Sequence, residues 1–148
     1  MEPKKAYKSF GYQTSVVWKT GRKGTARAEG KPDLDVSSPP DFKGDAGFWT
    51  PEDMFVSALN TCIMETFLAF AERKGLEVAG YESSAEALLE FKDGKYRFTE
   101  ATVKPQVALK SPADVDRARE ILETAHANCF VSNSITAAVT INPDFRVA

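Results

Sequence analysis

The segment from Thr50 to Gly75 constrains the fold most, because it predicts one long helix that is apolar over a wide sector. Thr50-Pro51-Glu52-Asp53 is typical of a helix N-terminus, with a hydroxyl before proline and two carboxylates at the positive end of the dipole. The helix is predicted to end near Lys74, with Gly75 as a left-handed terminator. Two sets of side chains form its apolar sector: Phe55, Leu59, Cys62, Thr66 and Ala69, widened by Ile63, Phe67 and Phe70. So wide a sector indicates a helix covered on most sides, and gives a first indication of a partner subunit.

The chain before this helix predicts a small sheet. Residues 7–18 alternate as a half-buried strand does, with four side chains on its inward side: Phe10, Tyr12, Val16 and Trp18. Gly21-Arg22-Lys23-Gly24 predicts a hairpin turn, followed by extended pieces near 25–29 and 33–37 and a loop over 41–49.

The chain after the helix predicts a long hairpin, a second helix and a last strand. Strands are predicted at 78–92 and 95–109 around the turn residues Asp93-Gly94. Their inward candidates are Tyr81, Ala85, Ala87, Leu89 and Phe91, then Val103, Val107 and Leu109. Ser111-Pro112 opens the second helix, whose apolar stripe is Val115, Ala118, Leu122, Ala125 and Cys129. With a strand over 135–141, the order βββ-α-ββ-α-β predicts one α+β domain spanning residues 1–148.

Composition excludes several classes of function. Nineteen basic and twenty-one acidic side chains leave a net charge of −2, which does not favour nucleic acid or an anionic membrane as partner. Two cysteines and one histidine predict neither a disulfide framework nor a metal or cofactor site. The start of the chain shows no signal-peptide pattern, and the apolar stretch 54–70 is interpreted as too short for a membrane span. We expect a cytoplasmic protein with free or redox-active thiols.

The two cysteines allow two interpretations each. Cys62 is either a small buried side chain on a helix face or a nucleophile, and the second role requires its thiolate form. Cys129 ends the stripe of the second helix, where the negative end of the dipole disfavours a thiolate. It therefore suits a resolving thiol better than an attacking one, and packing in the core is the equal alternative. His126 is close enough in sequence to hydrogen-bond it.

Four other positions have ordinary explanations when taken singly. Arg22 is typical of a solvated turn, and Glu52 complements the helix dipole. Phe48 and Trp49 are typical of core or interface aromatics.

Taken together and in order, these segments resemble the OsmC/Ohr family, the osmotically inducible protein C and organic hydroperoxide resistance proteins. The resemblance spans nearly the whole chain and is carried by these motifs: Gly21-Arg22-Lys23-Gly24, Asp35-Val36-Ser37-Ser38-Pro39, Thr50-Pro51-Glu52 with Cys62 ten positions later, and Ala125-His126-Ala127-Asn128-Cys129. The residue after the second cysteine is Phe130, where the hydroperoxide-resistance branch has proline.

The resemblance implies a thiol-dependent peroxidase that needs no cofactor. Cys62 would attack the peroxide and Cys129 would resolve the sulfenic acid as a disulfide, while Arg22 activates the thiolate and Glu52 orients Arg22. The implied fold is an intertwined homodimer, with antiparallel sheets wrapped around two central helices. The implied partners are a hydroperoxide and, as reductant, a lipoylated protein or another dithiol.

The chemistry of such a site is consistent with the remaining residues. A guanidinium lowers a thiol pKa and donates to peroxide oxygens. Aromatic and aliphatic side chains would favour a peroxide with an organic tail over hydrogen peroxide: Phe48, Trp49, Met54 and Phe55.

Spacing adds a constraint on this site. Glu52 and Cys62 are ten residues apart, about 15 Å along a continuous helix, which is too far for one guanidinium to contact both. Either the first turn is not helical, or Arg22 and Glu52 serve the Cys62 of the other chain; the second is the hypothesis we favour. Two alternatives stay open at this point: a non-catalytic dimer that binds small apolar molecules, and a redox sensor.

Overall fold

The computed structural model describes residues 6–148, so residues 1–5, part of the segment expected to lack a signal-peptide pattern, lie outside the described part. The chain forms two compact units, a first one up to Pro51 and a second one over Glu52–Ala148. The single domain over 1–148 stays a prediction.

The first unit holds a three-stranded antiparallel sheet. Its strands are β1 (Ser15–Thr20), β2 (Lys23–Arg27) and β3 (Leu34–Val36), in that spatial order. The predicted turn joins β1 to β2, with Gly21 at a φ of 57°. The Trp18 indole N–H donates to the Gly21 carbonyl oxygen at 3.0 Å, which fixes the ring across the turn.

The strand predicted over residues 7–18 is wrong in extent and in burial. β1 starts only at Ser15, and all of its residues are exposed. The four side chains assigned to an inward face are exposed by 69–93%: Phe10, Tyr12, Val16 and Trp18. Alternation at period two indicates an apolar face that another element can bury. It does not show that this element belongs to the same chain.

Helix α1 (Pro51–Arg73) begins and ends as its flanking residues predict. Gly75 follows it with a φ of 67°, in the left-handed region that ends helices. The residues buried within the chain form one stripe at steps of four: Leu59, Ile63, Phe67 and Ala71. Three of these four belong to the predicted apolar sector, but the buried stripe is narrower than that sector, because Phe55, Cys62 and Thr66 are only partly buried and Ala69 is exposed.

The expectation that the apolar stretch 54–70 is too short to cross a membrane is wrong for the length of the helix that contains it. α1 has 23 residues and its most apolar window has a mean hydropathy of 1.5, enough for a span by length and composition alone. Core helices of soluble proteins meet the same criteria. Only 22% of that window is buried within the chain, so its own chain covers most of this apolar helix only in part.

The long hairpin forms as predicted, from β4 (Val78–Lys92) and β5 (Lys95–Leu109). Asp93 and Gly94 join the strands with φ values of 54° and 82°, the left-handed pair that a tight hairpin turn requires. Phe91 was assigned to the inner face, which is wrong: it is 65% exposed near the hairpin tip, in edge contact with Tyr96.

Helix α2 (Val115–Ala127) follows a 3₁₀ turn at Pro112–Asp114. The Ser111 hydroxyl oxygen accepts a hydrogen bond from the Ala113 N–H at 3.2 Å, as a cap does. The predicted stripe is confirmed, since four of its members are almost fully buried and Val115 packs against them: Ala118, Leu122, Ala125 and Cys129. Together with α1 and β5 they form the core of the second unit.

The end of the chain departs from the predicted single strand. Two short strands, β6 (Ala138–Ile141) and β7 (Asp144–Val147), both pair with β5 in parallel, so the sheet is mixed and the order ends in ββ. Both keep the same register, which places Pro143 opposite Pro105. Neither proline has an N–H to donate, and the ladder is interrupted there for that reason.

Candidate active site

Cys62 and Cys129 lie together in the second unit. Cys62 is on α1 and partly buried, whereas Cys129 follows the end of α2 and is fully buried. Neither forms a disulfide, and the two thiols lie close enough for each to shift the pKa of the other. The packing of α1 against α2 thus joins two thiols that are 67 positions apart in sequence.

The surroundings of Cys62 favour its ionised form. Burial opposes ionisation of this thiol. Hydrogen bonds from the Val131 N–H, the Cys129 thiol, the Thr66 hydroxyl and the Phe130 N–H outweigh burial, so the pKa of Cys62 lies below its usual value. The Thr66 hydroxyl is 3.9 Å from Sγ and donates chiefly to the Cys62 carbonyl oxygen at 2.7 Å.

Cys129 is held as a neutral thiol. Burial raises its pKa to about 11; the Ser132 N–H, 3.4 Å from Sγ, lowers it, and the neighbouring Cys62 raises it further. The two sulfurs therefore differ in the direction that an attacking thiolate and a resolving thiol require.

Glu52 lies in the first turn of α1, which is helical from Pro51 onward. The separation of about 15 Å from Cys62 along the axis therefore applies, and the alternative of a non-helical first turn is excluded. Its Oε2 atom is buried and has no hydrogen-bond partner among residues 6–148. A buried carboxylate oxygen without a partner is costly, and a cationic side chain would satisfy it.

Arg22 lies in the exposed β1–β2 turn of the first unit. Within the described residues its guanidinium forms no ion pair.

The four predicted substrate-binding side chains are divided between the units. In the first unit, Trp49 is 47% exposed and Phe48 lies under the Lys23 ammonium, 5.3 Å from the ring centre. In the second unit, Met54 and Phe55 are partly buried, and the Phe55 ring stacks on Phe98 at 4.4 Å.

Sequence reasoning missed the groups around the two sulfurs. Thr66 was placed on the helix face but given no role, although its i+4 spacing from Cys62 was visible. The backbone N–H groups that follow Cys129 carry no side-chain signal. Among residues 6–148, no group of three or more histidine, cysteine, aspartate or glutamate side chains is placed to hold a metal ion.

The chain is an α+β protein with two neighbouring free thiols, one on a central helix and one after a second helix. This arrangement places it in a class of paired-thiol proteins. Residues 44–144 match the sequence profile of OsmC-like proteins, and the chain belongs to this family. Among curated proteins, it is 27% identical over 115 residues to protein YmaD of Bacillus subtilis, covering 76% of this chain and 77% of the relative.

Solved structures confirm the OsmC-like fold. An OsmC-like protein of unknown function from Vibrio cholerae superposes with a TM-score of 0.84 at 25% identity, covering 91% of this chain and 99% of that one. The organic hydroperoxide resistance protein OhrB of Bacillus subtilis superposes with a TM-score of 0.66 at 19% identity, covering 93% and 98%. The second likeness concerns the fold alone.

Proposed function

We propose that this protein is a thiol-dependent peroxidase that reduces organic hydroperoxides, with hydrogen peroxide as a poorer substrate. The observation that supports this most is the contact between Cys62 and Cys129, in which one sulfur is biased towards thiolate and the other towards thiol. Membership of the OsmC-like family supports a redox- or peroxide-related function.

The proposed cycle has two steps before reduction. The Cys62 thiolate attacks one oxygen of the hydroperoxide; the O–O bond breaks, the sulfur is oxidised to sulfenic acid, and the alkoxide takes up a proton and leaves as the alcohol. The Cys129 thiol then loses its proton and attacks the sulfenic sulfur. A disulfide forms and water leaves.

The order of these steps follows from the electrostatics of the sulfur pair. While Cys62 is a thiolate, its charge helps to hold Cys129 as a neutral thiol. Oxidation to the neutral sulfenic acid removes that charge, so the pKa of Cys129 falls and its attack becomes easier. Cys129 is therefore activated only after Cys62 has reacted with peroxide.

The complete site requires a homodimer in this proposal. Two features support a second chain: the apolar surface of α1, which its own chain covers only in part, and the exposed strand β1. Arg22 and Glu52 of one chain would form an ion pair beside the Cys62 of its partner, where the guanidinium donates to the peroxide oxygens. Met54, Phe55, Phe48 and Trp49 would contact the organic tail of the substrate.

A dithiol is the proposed reductant, because two thiols can open the Cys62–Cys129 disulfide without leaving a mixed disulfide behind. We expect dihydrolipoamide and thioredoxin, which are dithiols, to support faster consumption of cumene hydroperoxide than the monothiol glutathione, compared at equal thiol concentration. Equal failure of all three, with the disulfide intact by mass, would contradict the proposal.

The pH dependence of Cys62 alkylation separates catalysis from simple binding of apolar molecules. Because the pKa of Cys62 lies below its usual value, we expect its alkylation by iodoacetamide to reach its plateau at a lower pH than that of free cysteine. Mass spectrometry of the Cys62 peptide measures this residue alone. A midpoint at or above about 8.5, the value of an ordinary thiol, would favour the non-catalytic alternative.

Replacement of Cys129 tests the resolving role. Without reductant, the native protein should consume about one equivalent of peroxide per chain and stop as the disulfide. Cys129→Ser should continue past one equivalent, because its Cys62 sulfenic acid is oxidised on to the sulfinic state, which mass spectrometry detects. If Cys129→Ser also stops at one equivalent with no sulfinic product, Cys129 is not the resolving thiol.

A further inference from the structure

A cavity of about 210 Å³ lies between helix α2 and the link that joins β6 to β7. All of its lining residues belong to the second unit, and neither cysteine is among them. Four lie on α2 and two lie at the end of β6 and in the link: Arg119, Leu122, Glu123 and His126, then Ile141 and Pro143. The cavity is therefore separate from the two thiols.

The spacing of the α2 residues brings them to one face of the helix. Positions 119, 122, 123 and 126 are three or four apart, so their side chains lie along one side. Leu122 is only 3% exposed, whereas Arg119 and Glu123 are exposed and His126 is partly buried. This face of α2 thus combines an apolar floor with charged and polar groups at its rim.

The opposite wall of the cavity is held by the sheet. β6 ends at Ile141, which packs against the core, and the Asn142 N–H donates to the Val103 carbonyl oxygen at 2.8 Å. Pro143 follows, and its ring restricts the backbone to one range of φ. Because one wall is a helix and the other is bonded to β5, the cavity is formed before a ligand binds.

Two opposite charges line this cavity without pairing. Arg119 and Glu123 are four positions apart, a spacing at which oppositely charged side chains on a helix can form an ion pair. Among residues 6–148, neither side chain forms an ion pair. The Arg119 guanidinium instead lies over the Phe145 ring, 5.0 Å from the ring centre. This contact restrains the cation and uses none of its N–H donors.

The two charges define the class of ligand that the cavity suits. A guanidinium binds a carboxylate through two parallel hydrogen bonds, and a carboxylate accepts hydrogen bonds from an ammonium group. The His126 imidazole can donate to the one or accept from the other. Glu123 would repel a simple anion, and Arg119 would repel a simple cation. A molecule that carries both charges avoids both penalties.

We propose that this cavity binds a small aliphatic zwitterion, such as a free amino acid with an aliphatic side chain. Arg119 binds its carboxylate and Glu123 binds its ammonium group, while Leu122, Ile141 and Pro143 contact its aliphatic part. The cavity is smaller than the range of about 300–1,000 Å³ that drug-sized ligands occupy, which restricts the ligand to a smaller molecule. The inference does not depend on the proposed peroxidase function.

L-Valine and two relatives that each lack one charged group test the ligand class. Isovalerate keeps the carboxylate and the branched chain without the ammonium group, and isobutylamine lacks the carboxylate. Binding is measured by NMR titration of the isotope-labelled native protein. We expect L-valine to shift the amide signals of Glu123, His126 and Ile141 with a Kd on the order of 1 mM. Each relative should bind at least about tenfold more weakly, because it loses hydrogen bonds to one charged group.

Substitutions at the rim test the location of the site. Arg119→Met removes the guanidinium and keeps an apolar side chain beside Phe145, and Glu123→Gln removes the charge with little change of shape. Both positions are exposed, so the fold should be retained. Glu120→Gln is the matched control, because it removes the same charge from an exposed position of α2 that does not line the cavity. We expect the first two variants to weaken L-valine binding at least about tenfold and Glu120→Gln to keep the native Kd.

Three results would overturn this inference. They are the absence of L-valine binding to the native protein, equal Kd values for Glu123→Gln and Glu120→Gln, and isovalerate binding as tight as that of L-valine. The titration involves no thiol chemistry. A protein that binds L-valine in this cavity but consumes no peroxide would contradict the proposed function and leave this inference intact.

Discussion

Cys62→Ser should lose the consumption of organic hydroperoxides altogether, with a fall of at least about a thousandfold, the order seen when a catalytic nucleophile is removed. A serine hydroxyl is not ionised at neutral pH, and oxygen is a far poorer nucleophile towards peroxide than a thiolate. The substitution is nearly isosteric at a partly buried position, so the fold should be retained. The rate is measured with cumene hydroperoxide and dihydrolipoamide, after subtraction of the uncatalysed reaction.

Thr66→Val is a suitable control for this substitution. It keeps the shape of the neighbouring side chain and removes only the hydroxyl that lies 3.9 Å from the sulfur, so we expect a modest loss of rate. A Cys62→Ser protein that retains the native rate would end the assignment of this chain as a thiol peroxidase. The proposals for Cys129 and Arg22 would then lose their basis.

Mixed dimers of Arg22→Met and Cys62→Ser should regain activity that neither variant has alone. If Arg22 of one chain serves Cys62 of the other, each mixed dimer holds one complete site and one doubly defective site. Random pairing makes about half of the dimers mixed, so the unseparated mixture should have about a quarter of the native activity per chain and the isolated mixed dimer about half. The two variants are co-expressed with different tags, and the mixed species is isolated before assay.

The arrangement in which Arg22 acts within its own chain predicts a different activity for the mixed dimer. If each chain supplied Arg22 to its own Cys62, both sites of a mixed dimer would be defective and no activity would return. Glu52→Gln in place of Arg22→Met should behave in the same way, because Glu52 is proposed to orient Arg22 from the same chain. Each variant expressed alone is the matched control, and the native rate in either would contradict its proposed role.

Elements bounded by local turn chemistry could be predicted from the sequence. The bounds of β4 and β5 follow from Asp93-Gly94, since both residues adopt a positive φ at little cost. The start and end of α1 follow from Pro51 and Gly75. In each case the residues that determine the end of the element lie within a few positions of that end.

Elements that depend on distant pairing could not be predicted in the same way. β7 was missed because Asn142-Pro143 reads as the end of a strand, whereas the ladder on β5 resumes in register after the proline. The buried stripe of α1 could not be singled out within its apolar sector, because a wide sector does not show which part packs against the same chain.

For the proposed site, the sequence determined which reactive groups are present: two thiols, one arginine and one glutamate. It also determined that Glu52 and Cys62 are too far apart on one helix to share a guanidinium. Only the tertiary structure decided which sulfur has the lower pKa, because that difference depends on the burial of Cys129 and on the groups after α2 that surround Cys62. The residue types in the sequence determine which side chains are able to react. Protonation depends on what surrounds each residue in space, and that arises only when α1 and α2 pack together.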